Sequence, residues 1–344
     1  MEKNNNMNFD LFIDCGAPSL YNKLSRGRQK SYSGTMGTSF KERKYDDYSY
    51  VDLPEYKEYR QDYIEFMLRN KKHVKVYSNL DVINNPKLTY RNQRILEDAG
   101  LHPIPVFHLG NDVKWLKKYL DRYEYIALGG LVPNPTTVLI PILDELFNKY
   151  LVDENGFPRV KLHGFACTSL PLMIRYPWYS VDSATSRKLA NFGRILLPEH
   201  GTGKLKKVLI SARDVPLVHK VSPGILREID RRAKKWKTNT KLLSESSIER
   251  AVWNHLTFLE SIDNYIPQFP WSIKTRRTSI MKEGRIESLN LYFAGALSKS
   301  EAFYFWNRLE ELEIPNARKH RLMSFFYKTE AVFNITEKIK NESK

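Results

Sequence analysis

Over its first 200 residues the chain alternates short β-type runs with amphipathic helical ones, and this alternation limits the fold more than any other feature. The β-type runs are FDLFID (9–14), HVKVYSNLD (73–81), IPVFH (104–108), YIALGG (125–130), VKLHG (160–164) and WYSVD (178–182). Between them, apolar residues recur at helical spacing. LPEYKEYRQDYIEFMLRNK (53–71) sets Tyr56, Tyr59, Tyr63, Phe66 and Met67 at that spacing, and NPKLTYRNQRILEDAG (85–100) closes on Gly100. DVKWLKKYLDRY (112–123) and TTVLIPILDELFNKY (136–150) follow the same pattern. Parallel neighbours need a crossover, usually a helix, so repeated βα units predict a parallel sheet. Six such units, with no Gly-x-Gly-x-x-Gly after the first strand, predict an α/β fold of the (β/α)8 TIM-like barrel type over a dinucleotide-binding sheet. The expectation is a single barrel domain over 1–344. KKVLIS (206–211) is expected as strand seven and LNLYFAG (289–295) as strand eight, with a mainly helical, basic insertion over 215–280 between them.

The strand-like runs share a second property: each ends on or near a polar residue or a glycine pair. Asp14 ends the first, Asp81 the second and His108 the third; Gly129 and Gly130 end the fourth, His163 lies near the end of the fifth, and Asp182 ends the sixth. In a barrel these ends share the face on which active sites are built. An Asp after a strand is often a helix cap or a turn residue, and a lone His is often a core residue. A whole set at successive strand ends points instead to a site. Carboxylates facing one pocket suit glycosidic chemistry, in which one attacks the anomeric carbon and another moves a proton on the leaving group. Held close, they push their pKa values apart, which divides those roles. The glycine pair would let a ligand approach the backbone.

Charge and cysteine usage narrow the partners. The chain has 55 Lys and Arg against 39 Asp and Glu, a net charge of +16, which favours a polyanionic partner. Two cysteines, Cys15 and Cys167, are too few for a Cys-rich zinc site or a disulfide framework and fit a reducing compartment. The N-terminus MEKNNNMNFD has no signal-peptide core, and no apolar run reaches the roughly 20 residues of a membrane span. A cytoplasmic protein with no membrane partner is expected. HGTGKLKK (200–207) hints at a phosphate loop, but Leu205 sits where Ser or Thr is needed.

The array of short motifs resembles the tRNA-guanine transglycosylase superfamily, closest to the phage branch that inserts 7-deazaguanine bases into DNA, the DpdA-type enzymes. LFIDCGAPS (11–19) is similar to the family's opening Asp-Ser-Gly strand, with Cys15 in the Ser position; IALGGLV (126–132) is similar to its Gly-Gly-Leu element. VKLHGFA (160–166) resembles its His/Leu-Gly strand, and SVDSATSRK (180–188) its nucleophile segment; YSNLDVINNP (77–86) and IPVFHLG (104–110) also look like that branch. The resemblance runs in order over roughly residues 9–200. It implies exchange of guanine in DNA for a free 7-deazaguanine base by a retaining double displacement. Asp182 is then the nucleophile at C1′, and Asp14 the general acid/base. Asp81 reads the amino and ring N–H edge, and Gly129 and Gly130 offer backbone N–H groups to the base carbonyl. His108 and His163 are expected beside the base. The resemblance implies no cofactor and, with the family's cysteine cluster missing, no zinc; it also implies a host-cytoplasm location if the chain is phage-encoded.

Nucleic-acid contacts are expected from Arg187 and Lys188, and from RRAKKWKTNTK (231–241), where Lys234, Lys235 and Lys237 would track a backbone and Trp236 stack on a base. The competing reading of that stretch is a solvated helix face. KTRR (274–277) and RKHR (318–321) raise the same pair of readings, and Cys167 beside His163 reads as buried packing over a thiol nucleophile. Rival functions are the same exchange on tRNA, base excision with water as acceptor, and a catalytically silent nucleic-acid-binding barrel. The presence of both Asp14 and Asp182 speaks against the silent form.

Overall fold

The computed structural model describes residues 10–24, 48–167, 169–199, 204–212, 215–278, 288–295, 299–312 and 321–325. Eight strands form one sheet: β1 (Asp10–Asp14), β2 (Val76–Tyr77), β3 (Val106–His108), β4 (Tyr125–Gly129), β5 (Lys161–Gly164), β6 (Ser180–Ser183), β7 (Asn290–Ala294) and β8 (Arg321–Phe325). They lie in the order β2-β1-β8-β7-β6-β5-β4-β3, and every pairing is parallel. That order is the chain order wrapped round a ring. The sheet curls until its edges touch, at a parallel bridge between Ser78 and Ile104. There Ile104 N–H donates to Tyr77 O at 2.9 Å, and Asn79 N–H to Ile104 O at 3.0 Å. The architecture is consistent with a TIM-like α/β fold.

Helices α1 (Ala17–Leu24), α2 (Pro54–Asn70), α3 (Pro86–Asp98), α4 (Val113–Leu120), α5 (Thr136–Leu146), α6 (Leu170–Arg175) and α7 (Thr185–Asn191) fill the connections through β6. Their starts follow local chemistry. Pro86 opens α3 behind Asn85, whose side chain accepts from Leu88 N, and Asp112 caps α4 by accepting from Lys114 N. The strands obey a strict two-residue alternation. Leu11, Ile13, Phe107, Ile126, Leu128, Leu162, Val181, Leu291, Phe293 and Leu322 join the two large hydrophobic clusters that also hold the helices. The opposite parity, Phe12, Val76, Val106, Ala127, Tyr292, Ala294 and Met323, forms a separate cluster within the curl. Asp14, His108, Gly129 and Asp182 continue that inward parity at the strands' C-terminal ends.

Two strand assignments are corrected. Residues 206–211 are not strand seven: Lys204–Leu209 pairs antiparallel with Arg194–Glu199 in a hairpin outside the main sheet, Ile195 opposite Val208. A β-prone run announces a strand but not its partner, and the exposed Lys204, Lys206 and Lys207 suit a half-solvated hairpin. Residues 289–295 supply the seventh strand, not the eighth. The eighth, RLMSF, follows directly on a basic cluster that hides its alternation. Strand two is also shorter than expected and stops at Tyr77, so Asp81 lies in the following loop.

Region 215–280 holds α8 (Pro223–Lys235), α9 (Thr240–Glu245) and α10 (Ser247–Tyr265). Helix α10 is buried along most of its length and packs in both large clusters. Its Asn254 accepts from Leu196 N–H at 2.7 Å and donates to Ser186 O and Arg194 O, stitching α10 to α7 and the hairpin. One more helix, α11 (Lys299–Glu311), joins β7 to β8. Residues 25–47, 200–203 of the HGTGKLKK stretch, 279–280 and 318–320 of RKHR lie outside the described residues.

Candidate active site

A cavity of about 410 Å³ opens at the C-terminal ends of the strands. Every strand or the loop after it contributes to its wall: Asp14 from β1, Asp81 after β2, His108 from β3, Gly129 and Gly130 at β4, Ala166 after β5, Asp182 from β6, Ala294 from β7 and Met323 from β8. Asp14, Asp81, His108, Gly129, Gly130 and Asp182 therefore meet as the strand-end pattern predicted. Three carboxylates face one space, and among the described residues no Lys or Arg lines it. Tyr21, Ile83, Leu109, Leu131 and Phe165 make the rest of the wall largely apolar.

On the β1 side Asp14 is braced from behind. Ser78 Oγ donates to Asp14 Oδ1 at 3.4 Å and itself accepts from Cys15 N–H at 3.0 Å. Helix α2 supports both from behind: Tyr59 OH donates to Cys15 O at 2.6 Å, and Tyr63 OH to Ser78 O at 2.7 Å. Burial, then the negative charges of Asp81 and Asp182, push the Asp14 carboxyl up to about 7. Asp14 is thus poised to hold or release a proton near neutrality.

Asp81 sits in a loop pinned by α3. Asn79 Nδ2 donates to Thr89 O at 3.0 Å, Asn92 Nδ2 to Leu80 O at 2.7 Å, and Val82 N–H to Thr89 Oγ1 at 2.9 Å. Both Asp81 oxygens are engaged: Cys15 Sγ donates to Oδ1 at 3.1 Å, and His108 Nε2 lies 2.9 Å from Oδ2. Burial, with Asp81 and Asp14 beside it, pushes the Cys15 thiol well up and keeps it a donor. Gly129 gives the imidazole its place, because a Cβ there would lie 2.5 Å from His108 Cδ2. Gly130 takes a left-handed φ of +81°, which glycine adopts without strain.

The β6 side differs. Asp182 is 6% exposed, and Ala166 N–H donates to its Oδ1 at 2.6 Å. Ala166 holds φ +52°, a left-handed conformation that costs a non-glycine residue about 1 kcal/mol or more. His163 does not line the cavity as expected. Its position in β5, two residues below the loop that reaches the mouth, leaves it fully buried behind Asp182, between the rings of Phe12 and Phe165. Its Nδ1 is 2.6 Å from Ser180 Oγ, which is 2.5 Å from Tyr125 OH. Burial lowers the His163 pKa against the pull of Asp182, so the ring is neutral. Sequence reasoning missed Ser180 and Tyr125, although both share the inward parity of Asp182 and Gly129. Ala166 carried no signal at all.

The expected nucleic-acid residues are not gathered at the mouth. Arg187 pairs with Glu301 and donates to Ser247 Oγ at 3.3 Å, tying α7 to α11 and α10; Lys188 is exposed. Trp236 is not a stacking platform: it is 6% exposed and packs edge-on against Trp253, their ring centres 4.7 Å apart. Helical periodicity turns it inward while its neighbours face out. Lys235 Nζ donates to Glu260 at 2.9 Å and Lys237 Nζ to Glu311 O at 2.9 Å, while Lys234 is exposed. In KTRR, Arg276 donates to Ile174 O and Tyr265 O, a structural role. Cys167 is buried, and burial pushes its thiol up to about 12.

Among the described residues no three His, Cys, Asp or Glu side chains are grouped to hold a metal ion, and no helix is long and apolar enough to cross a membrane. Comparison of the chain with protein-family models, with curated proteins and with solved structures finds no match.

Proposed function

We propose that the chain is a guanine transglycosylase on a (β/α)8 barrel, exchanging guanine in DNA for a free 7-deazaguanine base. One observation carries this reading. Three carboxylates share the wall of one cavity with no Lys or Arg in it among the described residues, in a chain whose net charge is +16, and one of them is pushed up to about 7. Like charges held together in a cleft are costly, and such groups concentrate at sites of chemistry. An acid-lined, apolar-walled pocket suits a flipped-out base with N–H donors on its edge, while the surplus of positive charge suits the phosphate backbone outside.

The chemistry balances with the chain's own groups. Asp182 attacks C1′; the C1′–N9 bond breaks, and its electron pair leaves with guanine, which takes the proton of Asp14. The incoming base then gives its N9 proton to the Asp14 carboxylate and attacks C1′, and Asp182 departs with the bonding pair. Asp81, held from behind by His108 and Cys15, accepts from the base's amino and ring N–H groups.

The test is a competition between duplex DNA and folded tRNA, scored by incorporation of a labelled 7-deazaguanine base. Label in DNA is the expected result. Label only in tRNA moves the exchange to the other polymer, free guanine without label makes the chain a glycosylase, and neither product removes the assignment.

A further inference from the structure

The groups behind Asp182 have a directional logic. Asp182 Oδ1 faces His163 Nε2 at 3.4 Å, and a carboxylate oxygen can only accept. A lone pair on Nε2 would repel it, so Nε2 carries the proton and Nδ1 does not. Nδ1 must then accept from the Ser180 hydroxyl, and Ser180 Oγ accepts from Tyr125 OH. Burial pushes the Tyr125 phenol well up, which keeps it a donor. The row runs Tyr125 to Ser180 to His163 to Asp182, all inside the curl of the sheet.

Its last step is incomplete. At 3.4 Å the contact falls outside hydrogen-bond geometry, and among the described residues the fully buried Nε2 has no other partner. A buried unpaired donor is costly, so its retention calls for a reason. Catalytic hydrogen bonds are often long in the empty site and close when substrate arrives. Ala166 N–H and His163 Nε2 both address Oδ1, which among the described residues leaves Oδ2 as the oxygen open to react.

Resting on the base-exchange reading, we propose that His163 is a positioning residue, its Nε2–H tautomer set by Ser180 and Tyr125, which orients Asp182 through Oδ1 so that Oδ2 attacks C1′. When Oδ2 forms the ester, Oδ1 becomes its carbonyl oxygen and keeps both donors. When the ester breaks, the same donors take up the charge returning to the carboxylate.

Two measurements on the full chain test this. Imidazole nitrogen NMR of the free protein should show His163 protonated at Nε2 and bare at Nδ1, with Ser180→Ala mixing the tautomers. A proton on Nδ1 overturns the proposal. Single-turnover formation of the covalent adduct with a labelled guanine-containing DNA duplex is the second measurement. Misplacing a reacting group by about an ångström costs on the order of 100-fold. We expect losses that fall along the row, about 100-fold for His163→Leu, about tenfold for Ser180→Ala and a few-fold for Tyr125→Phe. DNA affinity should stay within about twofold, and His163→Gln, which keeps an N–H donor, should recover part of the rate. Rates per folded molecule that do not follow the row, or that follow only melting temperature, overturn it. Should the wild type form no adduct while the tautomer is as stated, the base-exchange reading falls and the orientation of Asp182 stands.

Discussion

Charge is handled in opposite ways at the mouth of the sheet and on helix α8. At the mouth, Asp14, Asp81 and Asp182 surround a cavity with no Lys or Arg in its wall among the described residues. On α8 three of the cations have an acid beside them: Arg231 with Glu228, Arg232 with Glu228 and Glu260, Lys235 with Glu260. Paired charges on a helix need no function to explain them, since they offset one another and contribute little net stability. Like charges gathered in a cleft with no Lys or Arg beside them raise the free energy of the fold, so something other than stability keeps them. The comparison separates chemistry from scaffold in a molecule where both regions attract attention by their ionisable residues.

The largest expected effect breaks the mouth. Asp182→Asn should abolish base exchange and the covalent adduct, because an amide of nearly the same shape cannot attack C1′; full activity in gel and mass assays of the adduct would remove Asp182 from the chemistry. Asp14→Asn should slow exchange by about 10²–10⁴-fold, the scale of a lost general acid/base, with less change in affinity. It carries a stability signature too. The Asp14 carboxyl moves from 3.8 to about 7 in the fold. Between those values the unfolded chain has released a proton that the folded chain still binds, so wild-type stability falls as pH rises from about 4 to 7. Relative to wild type, Asp14→Asn should gain stability over that window and hold the gain above it. Thermal melts at successive pH values check the sign, and a variant advantage that shrinks as pH rises would contradict it. For the wild type, adduct formation should weaken above about pH 7, where Asp14 loses the proton that guanine needs.

A smaller effect sharpens the same side. Gly129→Ala would place its Cβ 2.5 Å from His108 Cδ2. The ring must move, and it is the ring that holds Asp81. We expect a loss of roughly 1–3 kcal/mol in stability from overpacking, with weaker binding of free base than of DNA. Equal weakening of both ligands would show that His108 supports the mouth in general and not Asp81 in particular.

The mouth was legible because strand parity is a strong rule. Asp14 and Asp182 lie two residues beyond Phe12 and Ser180, so whatever faces inward below them predicts where they face. Asp81 was legible in its destination but not its route: its strand stops at Tyr77, and α3 steers the loop through Asn79, Thr89 and Asn92, a tertiary constraint without local pattern. His163 was read one layer too high, since a residue near a strand's end can point into the barrel floor or the mouth depending on where the strand stops. Strand eight escaped because charged residues precede it and only Leu322 and Met323 mark its alternation. The basic stretch misled for a simple reason. A run of cations around one aromatic looks alike on a nucleic-acid surface and on an amphipathic helix end, and only packing against Trp253 tells which it is.

The smallest expected effect lies on α8. If residues 234–237 tracked a phosphate backbone, replacing Lys234, Lys235 and Lys237 together would flatten log K against log salt by about 2.7, near 0.9 for each lost phosphate contact. The geometry predicts less. Lys235 is engaged with Glu260, and Lys237 donates to Glu311 O at the end of α11. Only Lys234 is exposed without a role in the packing just described, so the slope should change by no more than about one contact, roughly 0.9. The same triple replacement removes two exposed tethers, each worth at most about 1 kcal/mol, so melting should shift little. Trp236→Ala is the contrasting variant: it deletes a buried ring and should cost about 3–5 kcal/mol in stability while leaving the salt slope of the folded fraction unchanged. A slope change near 2.7 in the triple variant, with the fold intact, would return this helix to the nucleic-acid surface and erase the contrast with the mouth. A change confined to Lys234 would instead mark the one point at which a backbone passing the molecule touches α8.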